Sequence, residues 1–95
     1  MLKIVMEIDS SLPKNKVDYY CEIMDNIFEE NNVPCVSKSF GKRIYQNDNE
    51  EINLAEGGMA LIEISDNEEL RKAIVKGIWQ TDTETDDIVK EFFRD

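Results

Sequence analysis

Ninety-five residues suffice for one modest hydrophobic core, so a single domain spanning 1–95 is expected. Hydrophobic residues at 41% argue against a disordered chain, and 21 acids against 11 bases leave a formal charge of −10, which disfavours DNA or an anionic membrane as a direct partner. With no histidine, imidazole acid–base catalysis, Ser-His-Asp chemistry and His-ligated zinc are excluded.

"LKIVMEI" opens as a strand, with Leu2, Ile4, Met6 and Ile8 at period two on one face. "DSSLP" breaks it and offers caps, with Pro13 acceptable in a first helical turn. Residues 13–31 then read as a helix, because Val17, Tyr20, Cys21, Met24, Ile27 and Phe28 make one apolar face. "NNVP" ends it. "CVSKSFGKRIYQ" is extended, with Gly41 making either a tight hairpin between two short strands or a bulge in one longer strand.

"NDNEE" reads as a polar loop, and "EINLAEGG" as a short strand or loop closed by a turn at Gly57-Gly58. "MALIEI" reads as a strand, short and apolar. A second helix is expected from Asp66, with Glu69 completing a D-x-x-E capping box and Leu70, Ala73, Ile74, Gly77 and Ile78 tracing its apolar face. After the polar break "QTDTET", Ile88, Val89, Phe92 and Phe93 predict a short final helix capped by Thr83 or Thr85. The order is β-α-β-(β)-β-α-α, an α+β domain with an antiparallel sheet of three to four strands and helices packed on one face. The early elements could follow a ferredoxin-like path, but this reading lacks the final strand of that fold.

The charge is uneven: residues 1–43 carry −1 and residues 44–95 carry −9. Cys21 and Cys35 are expected to be reduced core thiols, and a disulfide between them has no support in the sequence. With no secretory leader at Met1 and no transmembrane-length apolar run, an intracellular, cytoplasmic protein is expected.

No cofactor or metal is implied. Two cysteines cannot make a four-thiolate zinc site, "DNEEINLAEGG" and "DTETDD" lack EF-hand spacing, and no phosphate-loop motif occurs. Lys42-Arg43, close to Tyr45, is a small basic spot suited to a phosphate or an acidic peptide, but against −10 it reads better as an edge-strand or hairpin charge that discourages sheet aggregation.

Two acidic arrays remain as candidate partner-binding residues. Asp18, Glu22, Asp25 and Glu29 recur at i, i+4, i+7 and i+11, one stripe on the first helix with no interleaved lysine. Asp82, Glu84, Asp86 and Asp87 form the second array, with Asp66, Glu68 and Glu69 at the start of the preceding helix. One acid near a helix N-terminus serves capping and the dipole; the surplus suits either solvation or a basic partner.

Residues 65–93, "SDNEELRKAIVKGIWQTDTETDDIVKEFF", resemble the C-terminal part of small acidic anti-CRISPR inhibitors of RNA-guided DNA nucleases. There a capped helix runs into a Gly/Trp pair, then an acidic linker, then a short acidic-aromatic helix. Gly77 and Trp79 would stand at the junction, and Asp82, Glu84, Asp86 and Asp87 in the linker. The resemblance implies that the linker competes for the site where such a nuclease reads duplex DNA.

The resulting expectation is a non-enzymatic acidic binding protein, a DNA mimic whose partner is a basic protein such as a nucleic-acid-binding nuclease, with no direct contact to nucleic acid or membrane. The alternative is an intracellular structural or regulatory module that self-associates, for instance as a homodimer.

Overall fold

The computed structural model describes residues 1–93, side chains 50–53 excepted. Its elements are β1 (Leu2–Ile8), α1 (Lys14–Glu30), β2 (Cys35–Ser39), β3 (Lys42–Asn47), α2 (Glu50–Asp66), α3 (Glu68–Ala73), β4 (Ile74–Gln80), β5 (Thr85–Asp87) and α4 (Ile88–Glu91). The strands form one antiparallel sheet in the order β2-β3-β1-β4-β5. The fold is α+β as expected, with five strands rather than three or four.

Antiparallel neighbours make β1 and β2 parallel to each other with β3 between them, and β3 and β4 parallel with β1 between them. Two interleaved βαβ units result, which is the ferredoxin-like path. The strand that the sequence reading lacked is β4, and β5 and α4 extend the sheet and its helical layer beyond that path.

Three sequence expectations are corrected. Residues 59–64 are the last turns of α2, not a strand, and Gly57-Gly58 lie inside that helix rather than in a turn. Residues 74–80 are β4, not a continuation of the second helix, which stops at Ala73. Their β-branched Ile74, Val75 and Ile78 suit a pleated surface, and the free edge of β1 offers them a ladder of hydrogen bonds. The caps also move: Asn67 Oδ1 accepts the Leu70 amide at 3.1 Å, and Asp87 Oδ1 accepts the Lys90 amide at 3.1 Å, so neither Asp66 nor Thr83 or Thr85 caps the helix assigned to it.

Alternation on β1 sets the two faces of the sheet. Leu2, Ile4, Met6 and Ile8 are buried beneath the helices together with Val17, Met24 and Phe28 of α1 and Ala60, Leu61 and Ile64 of α2. The Phe40-Gly41 turn closes a β2–β3 hairpin, and Gly41 takes a positive φ of 71° there. At the end of α1, Asn32 also has positive φ (61°). Its N–H donates to Glu29 O at 3.1 Å, and the Val33 N–H donates to Phe28 O at 2.9 Å. This is a Schellman stop, sealed by the buried pair Phe28 and Val33.

Candidate partner-binding surface

On α1 the four-acid stripe divides. Asp25 is only 16% exposed and is tied down: Tyr45 Oη donates to its Oδ1 at 2.6 Å, Arg43 Nε at 3.2 Å, and Lys38 Nζ lies 3.4 Å from Oδ2. Burial, then the Asp25 hydrogen bond, push the Tyr45 phenol far above its ordinary pKa, and its ring stacks on Phe28 with centroids 4.1 Å apart. Asp25 therefore locks α1 to β3. Asp18 is exposed and pairs with Lys14 Nζ at 2.6 Å, while Glu22 and Glu29 are exposed and have no ion pair among the described residues.

The Lys42-Arg43 spot divides in the same way. Arg43 turns under the helices to Asp25 and also donates to Ser39 O at 2.7 Å. Lys42 stands on the open face of the sheet, 3.7 Å from Glu7. Both cysteines are free; Cys21 is buried, which raises its thiol pKa, and Cys35 is half-buried.

The C-terminal acids lie around the β4–β5 hairpin. Thr81 N–H donates to Glu84 O at 2.9 Å, and Thr81 Oγ1 accepts the Glu84 amide at 3.1 Å, so the turn presents Asp82 and Glu84 outward. Asp82 lies 3.4 Å from the Met1 amino group. Asp86 sits in β5 opposite Trp79, and Asp87 is the α4 cap. The Gly77–Trp79 pair is in β4, not at a helix end. Glu69, on α3, borders a shallow depression of about 310 Å³ with Asn15, Lys16, Tyr19 and Tyr20.

A third acidic group was missed because α2 was not read as a helix. α2 holds Glu50, Glu51, Glu56, Glu63 and Asp66 and no base, and α1 holds five acids against Lys14 and Lys16. Together these two helices carry −8 of the −10. Neither has a base in its last turn; α1 ends in Glu29-Glu30, and Glu63 and Asp66 close α2. Carboxylates at helix C-termini oppose the helix dipole. The helices meet where Asn31 Nδ2 donates to Glu63 Oε1 (3.3 Å) and Asn32 Nδ2 to Glu56 Oε1 (3.1 Å), which places Glu29, Glu30, Glu56 and Glu63 around one junction. Counting charges along 50–66, five acids and no base, would have exposed this group whatever its secondary structure.

The opposite face of the sheet differs in character. Register places Ile44, Val5 and Ile78 in one row across β3, β1 and β4, flanked by Lys3, Lys42 and Lys76. Glu7 pairs with Lys42 and Lys76. The row has no aromatic side chain on which a base could stack. Among the described residues no group of three or more metal-ligating side chains occurs, and no helix is long and apolar enough to cross a membrane. No family model, curated protein or solved structure matches the chain.

Proposed function

We propose that the protein is a non-enzymatic acidic binding protein that occupies a basic, nucleic-acid-binding surface of a partner protein. The observation that supports this reading best is the helical layer, where α1 and α2 hold ten acids against two bases and both helices end in acids their dipoles disfavour. A basic channel gains free energy by pairing with phosphates, and carboxylates at comparable spacing satisfy the same lysines and arginines. The β4–β5 hairpin adds Asp82, Glu84 and Asp86 as a second patch, three of the four acids, with Asp87, that the resemblance to anti-CRISPR inhibitors singles out. A nuclease with a basic DNA channel is the partner class to try first.

The test is competition. The protein should displace duplex DNA from a basic nuclease at low salt, and binding should weaken as salt screens the pairs. Reversing Asp82, Glu84 and Asp86 to lysine, and separately Glu29, Glu30 and Glu63, assigns the contact to the turn or to the helical junction. Unchanged competition in both variants would refute the reading.

A further inference from the structure

The α2 helix carries a feature that acidity does not explain. Gly57, Ala60, Leu61 and Ile64 are buried against the sheet, yet the outward side is apolar too: Leu54, Met59 and Ile62 are 44%, 53% and 56% exposed. Between them Gly58 opens onto empty space, with no atom within 4 Å of a Cβ built there. A surface helix ordinarily turns a polar face to water, whereas α2 sets large apolar side chains among its acids on that side. The remaining exposed large apolar residues are scattered over different elements; among the described residues, α2 alone presents three, with Ile62 three residues after Met59 and eight, about two turns, after Leu54.

Acids rim this strip. Glu63 stands four residues after Met59 and Asp66 four after Ile62, both exposed, which makes each a surface neighbour of the strip, whereas Glu56 is half-buried and bonded to Asn32 at the end of α1. Three side chains fall well short of the roughly 800 Å² per partner of a stable interface, so the rim must contribute the rest. A second copy would set rim against rim with no base in either α2, and an anionic membrane meets the same repulsion. A helix with an apolar stripe and Lys/Arg flanks satisfies both parts.

We infer that the outer face of α2 docks a basic amphipathic helix of a partner protein, its apolar stripe on Leu54, Met59 and Ile62 and its cations on Glu63 and Asp66. This rests on the reading of the protein as a binder of basic partners, and it adds the shape of the ligand. Charge alone would not distinguish a helix from any other polycation, whereas this surface does.

The probe is a labelled synthetic peptide of about 18 residues, long enough to be helical when bound, with Leu and Lys in amphipathic order. Its control is an isomer of the same composition with the leucines scattered. By fluorescence anisotropy the full chain should bind the patterned peptide about ten-fold or more tightly than the isomer, a difference of about 1.4 kcal/mol. Met59→Ser/Ile62→Ser, both exposed positions, should erase that difference and leave the weak salt-sensitive binding common to both peptides. Equal binding of the two peptides by the native chain, or an unchanged preference in the variant, overturns the inference and leaves the acidic-binder reading standing. Failure of both peptides to bind overturns the reading and the inference together. A dimer in light scattering that Met59→Ser/Ile62→Ser converts to monomer would show that a second copy covers the strip. Ile62-dependent binding to neutral phosphatidylcholine vesicles without binding of the patterned peptide would assign it to lipid; either result overturns the inference.

Discussion

Asp25 shows how one residue's environment can reverse its expected role. Its spacing puts it in line with Asp18, Glu22 and Glu29, but it also lies four residues after Cys21 and three before Phe28, both buried, so it borders the apolar face. Nothing in the spacing tells a border acid from a solvated one; the difference is made by Tyr45, Arg43 and Lys38, which arrive from the β2–β3 hairpin. Asp25→Ala leaves a buried phenol without its acceptor and a nearly buried guanidinium without its counter-charge, held only by the Ser39 and Lys42 carbonyls, and should cost about 2–3 kcal/mol in urea unfolding. Tyr45→Phe, which keeps the ring on Phe28, should cost about 1 kcal/mol. The pH dependence has a definite sign. A phenol whose folded pKa is raised contributes stability below its unfolded value of about 10 that is lost as pH climbs above it, because only the unfolded chain ionises readily. Melting temperature should therefore drop above about pH 10 in the native chain, and by less in Tyr45→Phe.

Among the elements, β1 and α1 were legible because each carries a clean period, two on β1 and 3.6 on α1, while Gly41 left a hairpin and a bulge equally open until its positive φ at the β2–β3 turn decided for the hairpin. The α2 and β4 segments were exchanged, helix read as strand and strand as helix. In α2 an apolar run on both sides of the helix destroys the amphipathic signal, and Gly57-Gly58 imitate a turn. In β4 the spacing of Leu70, Ala73, Ile74, Gly77 and Ile78 imitates a helical face across a real helix end at Ala73. The two glycines of α2 also differ physically. A Cβ on Gly57 would meet Leu2 Cδ2 at 2.7 Å and the Trp79 ring at 3.1 Å, whereas one on Gly58 meets nothing. Gly58→Ala should raise stability by about 0.5–1 kcal/mol through helix propensity, and Gly57→Ala should lower it, because the fully buried Leu2 has to move. Thermal melts of the two variants check the contrast.

At the scale of the molecule, charge is sorted by layer: acids crowd the helical side and lysines frame the open sheet. The surplus was visible in the sequence, but its location was not, because the half-by-half count assigned it to the C-terminal segment while α2 holds five of those acids. Arrangements that oppose a helix dipole weaken the fold they sit in. Glu29→Gln/Glu30→Gln should therefore stabilise the protein by a few tenths of a kcal/mol per residue, and moderate salt should raise its melting temperature by screening the same repulsion. Stability given up at this surface is what the proposed binding role calls for. The most direct measurement is the affinity for a basic, DNA-binding nuclease of the native chain and of Glu29→Gln/Glu30→Gln/Glu56→Gln/Glu63→Gln. In that variant the new side-chain amides still offer carbonyl acceptors to Asn32 and Asn31, so the junction between the helices keeps its hydrogen bonds. The variant should melt higher and bind about ten-fold or more weakly at low salt, a loss of at least about 1.4 kcal/mol. A variant that melts higher and binds as tightly as the native chain would contradict the acidic-binder reading.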